Sequence, residues 1–253
     1  MKKRLLDFIF SRMPQEDVLA IYLTGSRNNN LHTEQSDYDL VVVKKLTIDS
    51  LLAKMIKPKH STNDVADYRT YDLVYFLNRV VVEGIYNDFE IIYREPLYCD
   101  SSFKRISEIL QKNKEVLKNK RGLIYSLHGS IYQIYQKISN ESRKVDLKKI
   151  KFNKEIANYF RYKTQLEKLI KEDIFYVIFE GDLRERFLEL KTTLPASVEA
   201  FAETSEETFK EIVAEAKATA EMAHELLKEL PEDTSEEKTE IKKLLVKEVL
   251  LLL

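Results

Sequence analysis

The chain has 253 residues, 44% of them apolar, with five Gly, five Pro and one cysteine, Cys99. That composition excludes wholesale disorder and an internal disulfide, and leaves room for one large domain or two modest ones with cores of their own. The net charge of −1 hides an asymmetry: residues 1–103 carry −2, residues 104–171 carry +12 and residues 172–253 carry −11.

A basic block beside an acidic one implies either a polyanion-binding face or two segments packing by charge complementarity. No Cys/His spacing resembles a zinc site, and a lone cysteine suits a reducing cytoplasm. The opening run Met1–Phe10 is basic then apolar, but Asp7 and Arg12 cut it short of a signal-peptide core. Leu250–Leu253 is too short a run to span a bilayer, so no membrane association is expected.

In chain order, Lys2–Met13 reads as an amphipathic helix and Val18–Leu23 as a strand ended by Thr24-Gly25-Ser26. Polar residues 27–36 read as a loop or short helix, and Tyr38–Val43 as a second strand. A helix is predicted near Ile48–Ile56, capped by Asp49 or Ser50. Val65–Tyr71 alternates like a strand. Asp72 then precedes Leu73, Phe76, Leu77, Val80 and Val81, a helical spacing closed by Gly84. Phe89–Tyr93 reads as a last strand before Pro96.

Beyond Ser101 the pattern is helical. Ile106, Ile109, Leu110 and Leu117 share one face; Ile124, Leu127, Ile131, Ile134, Tyr135 and Ile138 share another. Further helices are predicted over 153–171, 182–191, 204–229 and 235–251, with Thr204 and Ser235 or Thr234 as N-caps. Strands followed by helices imply an α+β fold: a small mixed sheet flanked by helices over residues 1–100, then an all-α domain over 101–253. Tyr132, Tyr135, Tyr159 and Tyr162 fall at helical spacing and read as inter-helix core.

The chemistry concentrates in Thr24-Gly25-Ser26-Arg27 and Asp37-Tyr38-Asp39. Gly25 lets the backbone turn sharply and approach a phosphate. Ser26 and neighbouring N–H groups can donate to phosphate oxygens, with Arg27 beside them. Asp37 and Asp39 are two apart at a strand start, so alternation puts both carboxylates on one face. Converging carboxylates repel unless a divalent cation sits between them, and hard oxygen ligands suit Mg²⁺ or Mn²⁺.

A Gly-Ser after one strand, about ten residues, and an Asp-x-Asp entering the next resemble the active-site signature of the DNA polymerase β nucleotidyltransferase superfamily. The resemblance implies transfer of a nucleoside monophosphate from an NTP to an acceptor with release of pyrophosphate, using two metals. It also implies a third carboxylate on a later strand. Asp67, a charged residue inside an alternating run, is preferred to Asp72, which an N-cap role explains, and to Glu90.

Tyr71–Phe76, Asn87–Ile92 and Leu230-Pro231-Glu232 are similar to segments of the RNA repair pathway DNA polymerase β family. Its helical half carries a Lys, a His four residues on and an Arg three further, where this chain has Lys154, Asn158 and Arg161. The resemblance implies that Lys154 and Arg161 grip phosphate. Two departures stand out: Asn28-Asn29-Asn30 replaces an aromatic and a glycine, and Asn158 replaces the histidine. An RNA acceptor, a tRNA or a broken RNA end, is the leading expectation. A protein acceptor, as in toxin–antitoxin adenylylation, and a non-enzymatic binding module are the alternatives.

Overall fold

The computed structural model describes residues 1–34, 36–47, 59–62, 65–139, 151–175, 178–194, 206–231 and 235–252. The helix predicted near Ile48–Ile56 and the Thr204 cap lie outside these residues. Among them, the chain packs as two compact units, Met1–Asn119 with Asp233–Leu253, and Lys120–Glu232. The packing therefore divides after Asn119 and not at residue 100, and the last helix belongs with the sheet.

The first unit is built on a five-stranded sheet of order β3-β4-β2-β1-β5. Its strands are β1 (Val18–Thr24), β2 (Asp39–Lys44), β3 (Lys59–Ser61), β4 (Asp67–Asp72) and β5 (Tyr98–Cys99). β2 and β4 run parallel, and β1–β2, β1–β5 and β3–β4 antiparallel. The α+β class read from the sequence is the class observed. β1 and β2 are buried along nearly their whole length, as their unbroken apolar runs require.

Helix α1 (Lys2–Phe10) turns Leu5 and Ile9, one turn apart, onto one sheet face with Ile21, Leu40 and Val42. Phe8 meets Tyr68 edge-on there, with ring centroids 6.0 Å apart. After the short α2 (Gly25–Asn28) comes α3 (Leu73–Leu77), whose Phe76 stacks on Tyr22 at 5.8 Å. Asp72 caps α3 by accepting the Tyr75 N–H at 2.8 Å. The helix widens to a π turn over Asn78–Glu83 and stops at Gly84, φ +64°, where a Cβ would press on Asn119.

The strand predicted over Phe89–Tyr93 is a correction. The segment is helical: α4 (Tyr86–Phe89) followed by a 3₁₀ turn over Glu90–Tyr93. Tyr86, Phe89, Ile91 and Ile92 are all buried, and a short apolar run buried all round carries no period to tell helix from strand. β3 and β5, three and two residues long, were too short to read as strands.

Helices α5 (Lys104–Lys112) and α6 (Lys114–Leu117) complete the contiguous part of this unit. Ile106, Ile109, Leu110 and Leu117 are buried, the face read from their spacing. The final helix α11 (Glu236–Leu250) packs on α5 and α6, burying Ile241 and Leu245, and Ser235 caps it by accepting the Lys238 N–H.

The second unit consists of α7 (Lys120–Ile138), α8 (Phe152–Lys171), α9 (Gly181–Thr193) and α10 (Glu206–Glu229). α7 packs against α8 and α10. Ala216, Ala220 and Ala223, with Thr219, form the buried stripe of α10, and short side chains permit a close helix approach. Tyr159 lies within hydrogen-bond distance of Thr219 Oγ1 at 3.2 Å. Tyr135 and Tyr159 are core, as expected, but Tyr132 is 43% exposed. No helix among the described residues is long and apolar enough to cross a membrane.

Candidate active site

The first strand ends at Thr24, which pairs in register with Asp39. The next residue, Gly25, takes φ +68°, a left-handed conformation that a side chain disfavours. It does so against the Asp39 side chain: a Cβ on Gly25 would collide with the carboxylate oxygen Oδ2 and stand 3.0 Å from its carbon. On the other side of β2, Asp39 is the register partner of Asp67, the first residue of β4. Three strand ends thus place a glycine and two carboxylates together. All three residues line one cavity of about 320 Å³, with His60, Arg69 and Asn87.

Asp37 is the other carboxylate of the Asp-x-Asp pair. It lines a neighbouring cavity with Arg27, Ser36 and Tyr38. β2 is bounded at Asp39, and its bonding to β4 reaches one residue further back, where the Asp67 N–H donates to the Tyr38 carbonyl at 2.8 Å. Among the described residues no three His, Cys, Asp or Glu side chains are grouped closely enough to hold a metal ion together. The Asp39/Asp67 pair nevertheless suits a hard divalent cation: the donors are carboxylates, and the bare Cα of Gly25 leaves the Asp39 carboxylate its room. Mg²⁺ is commonly bound by one or two carboxylates plus substrate phosphates.

Ser26 lies half-buried in α2 beside this corner, and Arg27 follows it. The Arg27 guanidinium donates to the Ser36 carbonyl at 2.6 and 3.1 Å and to the Asp37 carbonyl at 3.3 Å. It also lies 3.9 Å from the Tyr38 ring centroid. Arg27 therefore braces the segment that delivers Asp39. Asn30, where the resembling family carries a glycine nearby, takes φ +60°, so a left-handed residue is present there without glycine.

Of the other third-carboxylate candidates, Asp72 is occupied as the α3 cap and Glu90 is buried in the helical segment. Lys154 and Arg161 lie on α8 in the second unit. Lys154 is exposed, whereas Arg161 is 7% exposed with its guanidinium 4.6 Å from the Tyr162 ring centroid. The pair does not form one solvated face.

Sequence reading gave no role to Arg69 or Asp88, and noted Asn87 only as the start of a segment similar to the resembling family. Arg69 and Asn87 line the cavity, and Asp88 anchors its wall. Asp88 is fully buried, accepts the Tyr71 hydroxyl at 2.9 Å, and takes two contacts from Arg79 at 2.7 and 2.6 Å. Burial, and then the charge of Asp88, push the Tyr71 hydroxyl well above its ordinary value, so it stays a donor. The signal for Arg69 was available in principle: it is two residues after Asp67 and so shares its face.

The inner strands of this mixed sheet thus bring a left-handed glycine and two carboxylates together at one end. The model of the Nucleotidyltransferase domain family matches residues 3–162, and the chain belongs to that family. This agrees with the polymerase β resemblance of the sequence. No curated protein matches the chain. Among solved structures, a nucleotidyltransferase-like protein from Exiguobacterium sibiricum is similar at 13% identity and a TM-score of 0.32, covering 88% of this chain and 73% of the other.

Proposed function

We propose that this nucleotidyltransferase moves a nucleoside monophosphate from an NTP to an RNA acceptor, a tRNA or an RNA end, at the Gly25/Asp39/Asp67 corner. The observation that carries the reading is the register pairing of Asp39 with Asp67 beside a left-handed Gly25. The acceptor oxygen attacks the α-phosphorus, the bond to the β-phosphate oxygen breaks, pyrophosphate leaves, and the acceptor gives up its proton.

Asp39 and Asp67 would hold the divalent cation, Mg²⁺ or Mn²⁺, with Asp37 as a further candidate; when bound, it supplies charge neutralisation for the attacking and leaving oxygens. Gly25 admits a phosphate to the backbone at the start of α2, where Ser26 can donate to it. Arg27 fixes the loop leading into β2 and thereby the position of Asp39. Lys154 and Arg161 are proposed as phosphate contacts on the resemblance alone. Exposed Arg121, Lys151 and Lys154 in the basic block support an RNA acceptor.

A protein acceptor is the second reading, favoured by partial cover of that block. Lys120 pairs with Asp173 at 3.1 Å and Lys163 with Glu215, both partners lying in the acidic section. Incubating purified protein with each α-labelled NTP, Mg²⁺ or Mn²⁺, and either total RNA or total protein separates the readings. Label in RNA supports the proposal; label in protein only supports the second reading. Label in neither, with no pyrophosphate released, removes both.

A further inference from the structure

The proposed reading names no cationic partner for the triphosphate at the Asp39 cavity, and the Arg27 guanidinium donates to its own loop. Arg69 is a cation in the right place. It stands two residues after Asp67 on β4, so both side chains leave the same face of the sheet, and both line the Asp39 cavity. A guanidinium beside two carboxylates is poised for a ligand that carries both a divalent cation and negative oxygens, which is what a metal-bound triphosphate presents.

How Arg69 is held supports this role. Its Nη2 lies 3.6 Å from Asp88 Oδ1, an ion-pair distance longer than a hydrogen bond. The Asp88 oxygens already accept from Tyr71 and, at Oδ2, from Arg79. Asp88 thus attracts the Arg69 guanidinium without needing its N–H groups. Arg79 itself is shared with Glu83, at 3.7 Å, on the outer side of the cluster. The Arg69 side chain keeps 26% of its surface, whereas Asp88 keeps none. A fully buried carboxylate with two arginines is costly scaffolding for a surface position, and it fixes the guanidinium before any ligand arrives.

We propose that Arg69 binds the phosphate chain of the incoming NTP, and that Asp88 is the positioning residue that holds Arg69 toward the cavity. The proposal rests on the nucleotidyl-transfer reading and adds to it a residue for the leaving phosphates. It predicts that phosphate number, and not the base or sugar, governs sensitivity to Arg69.

The test measures equilibrium binding of the four α,β-methylene NTP analogues and the corresponding nucleoside monophosphates, with Mg²⁺, to wild type, Arg69→Ala, Arg69→Lys and Asp88→Asn. A charge-assisted contact of this kind is worth roughly tenfold or more in affinity. Arg69→Ala is expected to weaken the NTP analogue by that factor, to affect the monophosphate less, and to keep a cooperative melt, since Tyr71 and Arg79 still satisfy Asp88. Arg69→Lys should recover part of the loss. Asp88→Asn should weaken NTP binding in the wild-type background and add nothing in the Arg69→Ala background; a merely structural role gives additive losses instead. Wild type that binds an analogue while Arg69→Ala binds it equally well overturns the inference alone. Loss confined to an RNA oligonucleotide overturns it in favour of an acceptor contact. Wild type that binds no analogue removes the nucleotidyl-transfer reading, and the inference with it.

Discussion

Asp39 and Asp67 stand at the same register of two parallel strands, so their like charges leave the sheet as immediate neighbours. Side-by-side carboxylates destabilise a sheet unless something positive joins them. On the proposed reading, a cation held by this pair would link folding stability to ligand binding.

Asp39→Asn and Asp67→Asn are each expected to abolish transfer and, without metal, to leave the melting temperature unchanged or raise it. Adding Mg²⁺ or Mn²⁺ should raise the melting temperature of wild type by mass action but not that of either variant. Thermal melts across a metal series check this. A rise as large in the variants as in wild type would place the cation elsewhere.

Asp72→Ala separates a cap from a metal ligand. Losing the bond to the Tyr75 N–H should cost about 1 kcal/mol of stability and spare most activity, whereas Asp67→Asn should do the reverse. Denaturant melts and turnover measured together decide it; the opposite ranking transfers the ligand role to Asp72.

Gly25→Ala combines two faults. Alanine in the left-handed region costs roughly 1–2 kcal/mol, and its Cβ would displace the Asp39 carboxylate. Activity is expected to fall by an order of magnitude beyond what the stability loss explains, since one pushed ligand misplaces the reacting groups. Turnover equal to wild type at a temperature where both are folded would contradict the close approach.

Acidification should weaken the second unit through His128. Burial first, and then the neighbouring His224 ring 5.7 Å away, hold the His128 imidazole below its ordinary value. The unfolded chain therefore takes up the proton more readily. Stability present above the ordinary histidine pKa of about 6.5 is lost as pH falls through it, and the loss levels off below the depressed folded value. His224→Gln should make that slope shallower without flattening it, because burial remains the larger cause. Melts between pH 7.5 and 5 measure it, and an unaltered slope removes His224 from the account.

Arg161→Ala should lower stability, because the side chain is buried; Lys154→Ala should shift it by no more than about 0.5 kcal/mol. If either residue also binds RNA phosphate, its removal reduces the log–log salt slope of RNA binding by roughly 0.7–0.9. Salt titrations of RNA and NTP binding distinguish these roles, and unmoved slopes for both variants end the phosphate assignment.

The parts of the candidate site that depend on local pattern were legible in the sequence. Gly25, Asp39 and Asp67 announce themselves because a strand end, a turn and a charged residue in an alternating run are all short-range signals. Asp37 rests on the same local signal and stays a candidate ligand, lining the neighbouring cavity. Asp88 was invisible, because its role depends on residues 86–93 being helical, and their all-round burial erases the period that would say so. The place of α11 was equally hidden. An amphipathic helix displays the face it buries but not the partner, and its partners α5 and α6 lie more than a hundred residues earlier.

That return of α11 gives the sheet unit an order of assembly. Everything from Lys120 to Glu232 is made between its first portion and its last. On a ribosome adding about 5–20 residues per second, the Ile109 side of α5 waits on the order of ten seconds for Ile241 and Leu244 to arrive. During that interval the helical unit can already be complete while the sheet unit still shows an uncovered apolar flank. A nascent chain at this stage is a better client for a chaperone than either finished unit, and its sheet unit is the last to become resistant to proteolysis.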